Sequence, residues 1–145
     1  MNPYPDTGFL CSLYSHDANS QRAIAEMRRV TLPMSFTWIH QLELRNAMRL
    51  RVFRKEITRQ QSDASLNLLL ADLAEGVLLQ IPTALDSVTL EAERLSATHS
   101  EKLGTRSLDI LHVAIAIGTG ADFFITFDKR QASLAKAAGI KVRGL

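Results

Sequence analysis

The chain has 145 residues, 46% of them hydrophobic and 22% charged, with a formal net charge of +2. These proportions are those of an ordinary soluble globular protein, and the length fits one domain read as spanning 1–145. A single cysteine, Cys11, excludes an internal disulfide and with it a secreted disulfide scaffold. It sits among Phe9, Leu10 and Leu13, where a buried and inert thiol is expected. No basic start followed by an apolar run marks a signal peptide, and no segment approaches the ~20 apolar residues of a membrane span. A cytoplasmic protein without a membrane partner is the expectation. The net charge is too small to argue for nucleic acid, so only the distribution of cations can.

In chain order, Met1-Asn2-Pro3-Tyr4-Pro5 allows only a brief strand, because each proline removes a ladder donor. Asp6-Thr7-Gly8 follows and leads into apolar Phe9-Leu10-Cys11-Ser12-Leu13-Tyr14. Residues 18–30 read as a helix with Ile24, Met27 and Val30 inward and Arg22, Glu26 and Arg29 outward. A weak strand over 33–36 precedes a helix over 37–54. Thr58 and Gln61 have the spacing of a capping box, and their helix runs to Glu75, burying Leu66, Leu69, Leu70 and Leu73 before Gly76 stops it. A strand over 77–81 comes next, and Asp86 caps a helix that ends near His99.

A polar loop over 100–104 then precedes a helix over 107–117, stopped by Gly118-Thr119-Gly120. Residues 123–126 form a buried strand, 131–138 a short helix with Gly139 as its C-cap, and 140–142 a last strand. Strand, helix and strand at this spacing imply a parallel, right-handed crossover. The fold class is therefore α/β, a mostly parallel sheet covered by helices, with no break, repeat or linker.

Four carboxylates stand in positions that ordinary folding does not require. In an open α/β sheet, ligands gather beyond the carboxyl ends of the strands. Asp6 follows the first strand, and Asp128 lies two residues beyond Thr126, where another strand ends. Either could instead cap the helix that follows it. Glu43 shares a helix face with Ile39, Leu42, Asn46 and Leu50, and no lysine or arginine lies three or four positions away. Asp109 opens a helix that is apolar all round except for itself and His112, so its charge calls for a cation or for Arg106 three residues earlier. His112 reads as a hydrogen-bonded core residue and is left outside the site. Four acids without a Cys/His cluster suit a hard cation, Mg²⁺ or in its place Mn²⁺, which can polarise a phosphodiester and activate water. A haloacid-dehalogenase phosphatase would need a second aspartate two after the first, where this chain has Gly8, and a response-regulator receiver would need an acidic pair near its start.

Together these segments resemble the PIN-domain family, especially VapC-type toxins, over nearly the whole chain. The matching pieces are Pro5-Asp6-Thr7-Gly8, Gln41-Leu42-Glu43-Leu44-Arg45-Asn46-Ala47, Thr105-Arg106-Ser107-Leu108-Asp109-Ile110-Leu111-His112-Val113-Ala114, and Ala121-Asp122-Phe123-Phe124-Ile125-Thr126-Phe127-Asp128-Lys129-Arg130. The resemblance implies a PIN fold, divalent-metal-dependent cleavage of single-stranded RNA, an antitoxin partner and dimerisation. It carries over Asp6, Glu43, Asp109 and Asp128 as the acidic quartet, with Thr126 as a supporting hydroxyl. One departure is the first strand, which in the family is longer and β-branched.

Cations near the acids are the candidates for RNA contact: Arg45 and Arg49 after Glu43, Lys102 and Arg106 before Asp109, and Lys129 and Arg130 after Asp128. The expected partners are an RNA substrate and, as the resemblance implies, an antitoxin protein and a second copy of the chain. The leucine stripe over 66–73 either packs into the chain's own core, the commoner outcome, or is shared with that second copy. The rival from another class is a PIN-like module that binds RNA or protein without cutting.

Overall fold

The computed structural model describes residues 2–145; Met1, the first residue of the expected opening strand, lies outside them. The elements run β1 (Pro3–Pro5), α1 (Thr7–Tyr14), α2 (Ser20–Met27), β2 (Met34–Phe36), α3 (Trp38–Phe53), α4 (Arg59–Glu75), β3 (Leu78–Gln80), α5 (Leu85–Leu103), α6 (Ser107–Gly118), β4 (Phe123–Ile125), α7 (Lys129–Ala137) and β5 (Lys141–Arg143). All strand pairings are parallel, in the orders β1-β4-β5 and β2-β3.

The prolines of β1 explain why the pairing divides there. Asp6 donates its N–H to Ile125 O at 2.9 Å, so Asp6, and by the two-residue alternation Tyr4, turn their donors toward β4. Pro3 and Pro5 then turn their missing donors the other way, toward β2. The β1–β4 ladder is left whole, and the β1–β2 side is held by side chains instead. Ser35 Oγ donates to Asn2 Oδ1 at 3.0 Å, and His40 Nε2 reaches Pro5 O at 2.7 Å. The brief proline-bearing strand expected from the sequence is thus present, and it still holds Asp6 in a regular ladder.

Alternate residues of β4 serve opposite faces of the sheet. Phe124 joins Tyr4, Leu95, Val113 and Leu134 in one core with α5, α6 and α7. Ile125 joins Phe9, Met34, Phe36, Leu44, Met48 and Leu69 in the other, with α1 to α4. Cys11 packs against this second core, and burial pushes its thiol up to about 12, as an inert thiol requires.

Several expected details change. On α2, Glu26 is buried and Ile24 is 40% exposed, because Glu26 meets Arg143 from the far end of the chain. On α3 the buried face is Ile39, His40, Leu44 and Met48, so Leu42 and Leu50, expected beside Glu43 on an inward stripe, are exposed. On α4, Leu69 is buried and Leu66 and Leu73 partly so, while Leu70 faces outward. Helix α5 is capped by Ala84 rather than Asp86, and it continues through the expected loop to end at Gly104 in the left-handed region, φ 62°. Helix α7 begins two residues early because Asp128 caps it. No helix among the described residues is long and apolar enough to cross a membrane.

Candidate active site

The site lies where the chain reverses its direction of travel across the sheet, at the carboxyl ends of adjacent β1 and β4. Asp6 follows β1 and is 8% exposed; Asp128 follows β4 with an open side chain. Each is both a helix cap and a cleft residue. Asp6 Oδ1 accepts from Phe9 N at 2.7 Å, and Asp128 Oδ1 accepts from Arg130 N and Gln131 N at 2.8 and 3.1 Å. The cap consumes one oxygen and fixes the rotamer, which leaves Oδ2 of each to face the site. Both carboxylates line one cleft of about 280 Å³ with Gly8, Ser12, Asn19 and Phe127.

Thr126 joins these two acids. Its buried hydroxyl donates to Asp6 Oδ2 and accepts from Asp128 N at 2.9 Å. Burial raises the Asp6 carboxyl to about 6; the Thr126 and Phe9 hydrogen bonds pull against that rise, and the nearby Asp128 charge adds to it. Thr126 thereby bridges the two strand-end acids.

Asp109 occupies the first turn of α6 with its side chain 20% exposed. It sits at the open end of that helix rather than deep among its buried apolar residues, which begin at Ile110. Arg106 Nε donates to Asp109 Oδ2 at 3.1 Å, and Arg106 Nη2 lies 3.9 Å from Asp128 Oδ2. The local partner weighed for Asp109 is therefore real, and its guanidinium spans two of the four acids.

Glu43 faces a different set of groups. His112 Nε2 lies 2.5 Å from Glu43 Oε1, and Thr7 Oγ1 donates to the same oxygen at 2.8 Å. Burial pushes the Glu43 carboxyl up, but the His112 hydrogen bond, the His112 charge and the Thr7 hydroxyl outweigh it, and the net shift is downward. Behind the imidazole, Tyr4 OH meets His112 Nδ1 at 2.9 Å. His112 is a buried, hydrogen-bonded residue as expected, yet it is also the main partner of Glu43, which sequence spacing could not reveal across 69 positions.

Among the described residues, no three acidic, histidine or cysteine side chains stand together so as to hold a metal ion. The donor chemistry still fits a hard divalent cation, because every candidate ligand is a carboxylate oxygen. The Arg106 guanidinium already stands as a cation between two of these carboxylates, Asp109 and Asp128. Of the proposed RNA contacts, Arg106, Lys129 and Arg130 flank these acids. Lys102 is exposed in the last turn of α5. Arg45 and Arg49 line a separate groove with Trp38, Leu42 and Gln80, away from the cleft of Asp6 and Asp128.

Solved structures share this arrangement of elements. VapC20 of Mycobacterium tuberculosis, described as a sarcin-ricin loop cleaving toxin, is 18% identical with a TM-score of 0.67, covering 95% of each chain. VapBC2 of Rickettsia felis, solved with a DNA fragment from their promoter, is 16% identical with a TM-score of 0.69, covering 99% of this chain and 98% of that one. FitAcB of Neisseria gonorrhoeae is 17% identical with a TM-score of 0.63, covering 97% and 95%. No curated protein sequence matches. The model of the PIN domain matches residues 4–137, which run from within β1 through Asp6 to the end of the Asp128-capped α7, and the chain belongs to the PIN-domain family.

Proposed function

We propose that this protein is a divalent-metal-dependent endoribonuclease and the toxin of a type II toxin–antitoxin pair. The observation that carries the reading is the pair Asp6 and Asp128 at the ends of neighbouring strands, linked through Thr126 and rimmed by Asp109 and Arg106. Asp6, Asp109 and Asp128 would hold the cation, Mg²⁺ with Mn²⁺ as a substitute. When bound, such a cation supplies Lewis-acid polarisation of a phosphodiester and acidifies a water.

The chain's own residues supply the rest. Thr126 orients the Asp6 carboxylate, and the caps hold Asp6 and Asp128 at fixed rotamers. Glu43, kept ionised by His112 and Thr7, accepts a proton from the attacking water. Arg106, which pairs with Asp109 and Asp128, would be free to turn its donors to the substrate phosphate once a cation neutralised those acids. Lys129 and Arg130 hold flanking phosphates.

Names of similar structures favour a protein partner: two are VapBC assemblies. The exposed Leu68 and Leu70 on α4 and Trp38, Leu42 and Phe53 along α3 offer apolar surface for an antitoxin and for a second copy of the chain.

A titration of Mg²⁺ against labelled RNAs, comparing wild type with Asp109→Asn and Asp128→Asn, tests the reading. Cleavage that needs the metal and is lost in both variants is the expected result. Binding of RNA without cleavage at any metal concentration would place the protein among silent RNA-binding modules instead.

A further inference from the structure

A second cleft lies beside the acid cleft and has no part in the chemistry above. It occupies about 400 Å³ between α2 and the end of β5, and its charged walls are Arg22, Glu26, Arg29 and Arg143. Three guanidiniums against one carboxylate leave it positive; a terminal carboxylate at Leu145 would still leave an excess of one. Phe127 lines both clefts, so the two adjoin at that ring.

The wall is built rather than incidental. Arg22 lies over the Phe127 ring at 4.6 Å and donates to Gly144 O at 2.6 Å. Gly144 has φ +100°, and a Cβ there would stand 2.6 Å from Thr126 O, so only glycine lets this segment lie so close to the end of β4. Arg143 lies over Phe123 at 4.2 Å and donates to Arg29 O at 3.2 Å. Glu26, with its side chain 8% exposed, stands 3.7 Å from both Arg29 and Arg143 and holds them from below. Its Oε1 is buried without a hydrogen bond, so the pairing is electrostatic only. The Arg29 side chain is 72% exposed and its guanidinium makes no hydrogen bond among the described residues, which leaves its planar donors turned to solvent for an anion.

We propose that this arginine cleft binds a backbone phosphate of the RNA strand as it leaves the acid cleft across Phe127. The site is polar and cationic, and it adjoins the carboxylates where a phosphodiester would be cut. A strand that enters the acid cleft and runs past Phe127 meets Arg22 and Arg29 next. This proposal rests on the RNA reading of the acid cleft and adds a direction to the strand.

The test uses the full chain with chelator, so that no cleavage occurs, and single-stranded RNAs of graded length read by fluorescence anisotropy at several salt concentrations. Arg29→Ala should weaken binding of the longer RNAs by about threefold and flatten the salt dependence by about 0.7 of a log unit per log unit, the value of one phosphate contact on a single strand. The shortest RNAs, unable to reach the cleft, should bind equally. Arg28→Ala removes the same charge from a neighbouring exposed position outside the cleft and should leave affinity unchanged. Equal affinity of Arg29→Ala and wild type overturns the cleft alone, as would equal losses in Arg29→Ala and Arg28→Ala; a cleft that serves an acidic protein segment gives the first of these. Wild-type protein that neither binds nor cuts RNA overturns the nuclease reading as well.

Discussion

His112 Nε2 stands 2.5 Å from Glu43 Oε1, joining α6 to α3 beneath the candidate site. An ionised carboxylate only accepts, so Nε2 carries the proton in this contact. Tyr4, whose phenol burial holds far above its ordinary value, keeps its own proton, and its hydroxyl meets Nδ1 at 2.9 Å. The imidazole is thereby oriented from both sides, as a ring that positions a carboxylate must be.

Removing that ring should show in the pH profile before it shows in the fold. His112→Ala strips Glu43 of the partner that lowers its carboxyl, while the burial that raises it remains. Protonated Glu43 cannot accept a proton from water, so the acidic limb of the activity profile should move to higher pH. The rate at neutral pH should fall by about tenfold to a hundredfold. His112→Gln, whose amide nitrogen can replace Nε2, should restore the limb in part. An acidic limb unchanged in His112→Ala would show that Glu43 acts without the histidine.

Asp6 gives the opposite pH dependence. Its carboxyl rises from an ordinary 3.8 to about 6 in the folded protein, so the native state binds the proton more tightly than the unfolded chain. Stability from this group is therefore highest below the unfolded value and falls as pH rises from about 4 to 6. Two units correspond to about 3 kcal/mol, an upper figure for one buried carboxyl. In chelator at pH 8, Asp6→Asn should match or exceed wild type in Tm, since asparagine keeps the N-cap. Adding Mg²⁺ should stabilise wild type and leave Asp6→Asn almost unmoved. A variant that loses stability in chelator and still gains from the metal would remove Asp6 from the ligand set.

Sequence reasoning reached some of this geometry and missed the rest for definite reasons. Thr126 and Asp128 were legible because a buried run, Phe123-Phe124-Ile125, has to end where its first polar side chains appear, and strand ends collect ligands in this topology. For Asp6 and Asp128, cap and ligand looked like rival explanations. They coexist because a carboxylate has two oxygens and a cap uses one. The Glu43–His112 contact has no local signature, since neither helix encodes the distance between them. Glu26 reads as an outward residue because it carries a charge, and its burial becomes tolerable where Arg29 and, from the returning β5, Arg143 stand beside it. On α3, Leu42 and Leu50 have the composition of core residues and sit on the exposed face, because single exposed leucines are common and periodicity alone does not fix which face packs.

Arg106 should act as both competitor and helper. Its guanidinium bridges Asp109 and Asp128, two of the proposed ligands, so a cation must displace it. Arg106→Ala should therefore lower the Mg²⁺ concentration needed for half-maximal stabilisation. In the same variant RNA affinity should fall by about threefold, the cost of one phosphate contact. Isothermal titration with Mg²⁺ and anisotropy with RNA in chelator separate the two effects. An increase in the Mg²⁺ requirement would mean that Arg106 prepares the acids for the metal and does not compete with it.

Thr126→Val isolates the link between the two strand-end acids. Valine keeps the shape of a side chain that is fully buried and removes only the hydroxyl. Asp6 Oδ2 then loses its donor and Asp128 N its acceptor. One unsatisfied buried group costs about 1–3 kcal/mol, and the Asp6 side is the buried one, so a loss of that size is expected in chemical denaturation. The Asp6 carboxyl should rise further, because the Thr126 hydrogen bond is the strongest influence lowering it. The metal-induced gain in Tm should accordingly need a higher pH than in wild type. Thr126→Ser, which keeps the hydroxyl, should return that pH requirement to the wild-type value even though it loses a methyl group from the core. Serine and valine variants that share one pH requirement would mean that the hydroxyl supports the fold and has no hold on the Asp6 carboxylate.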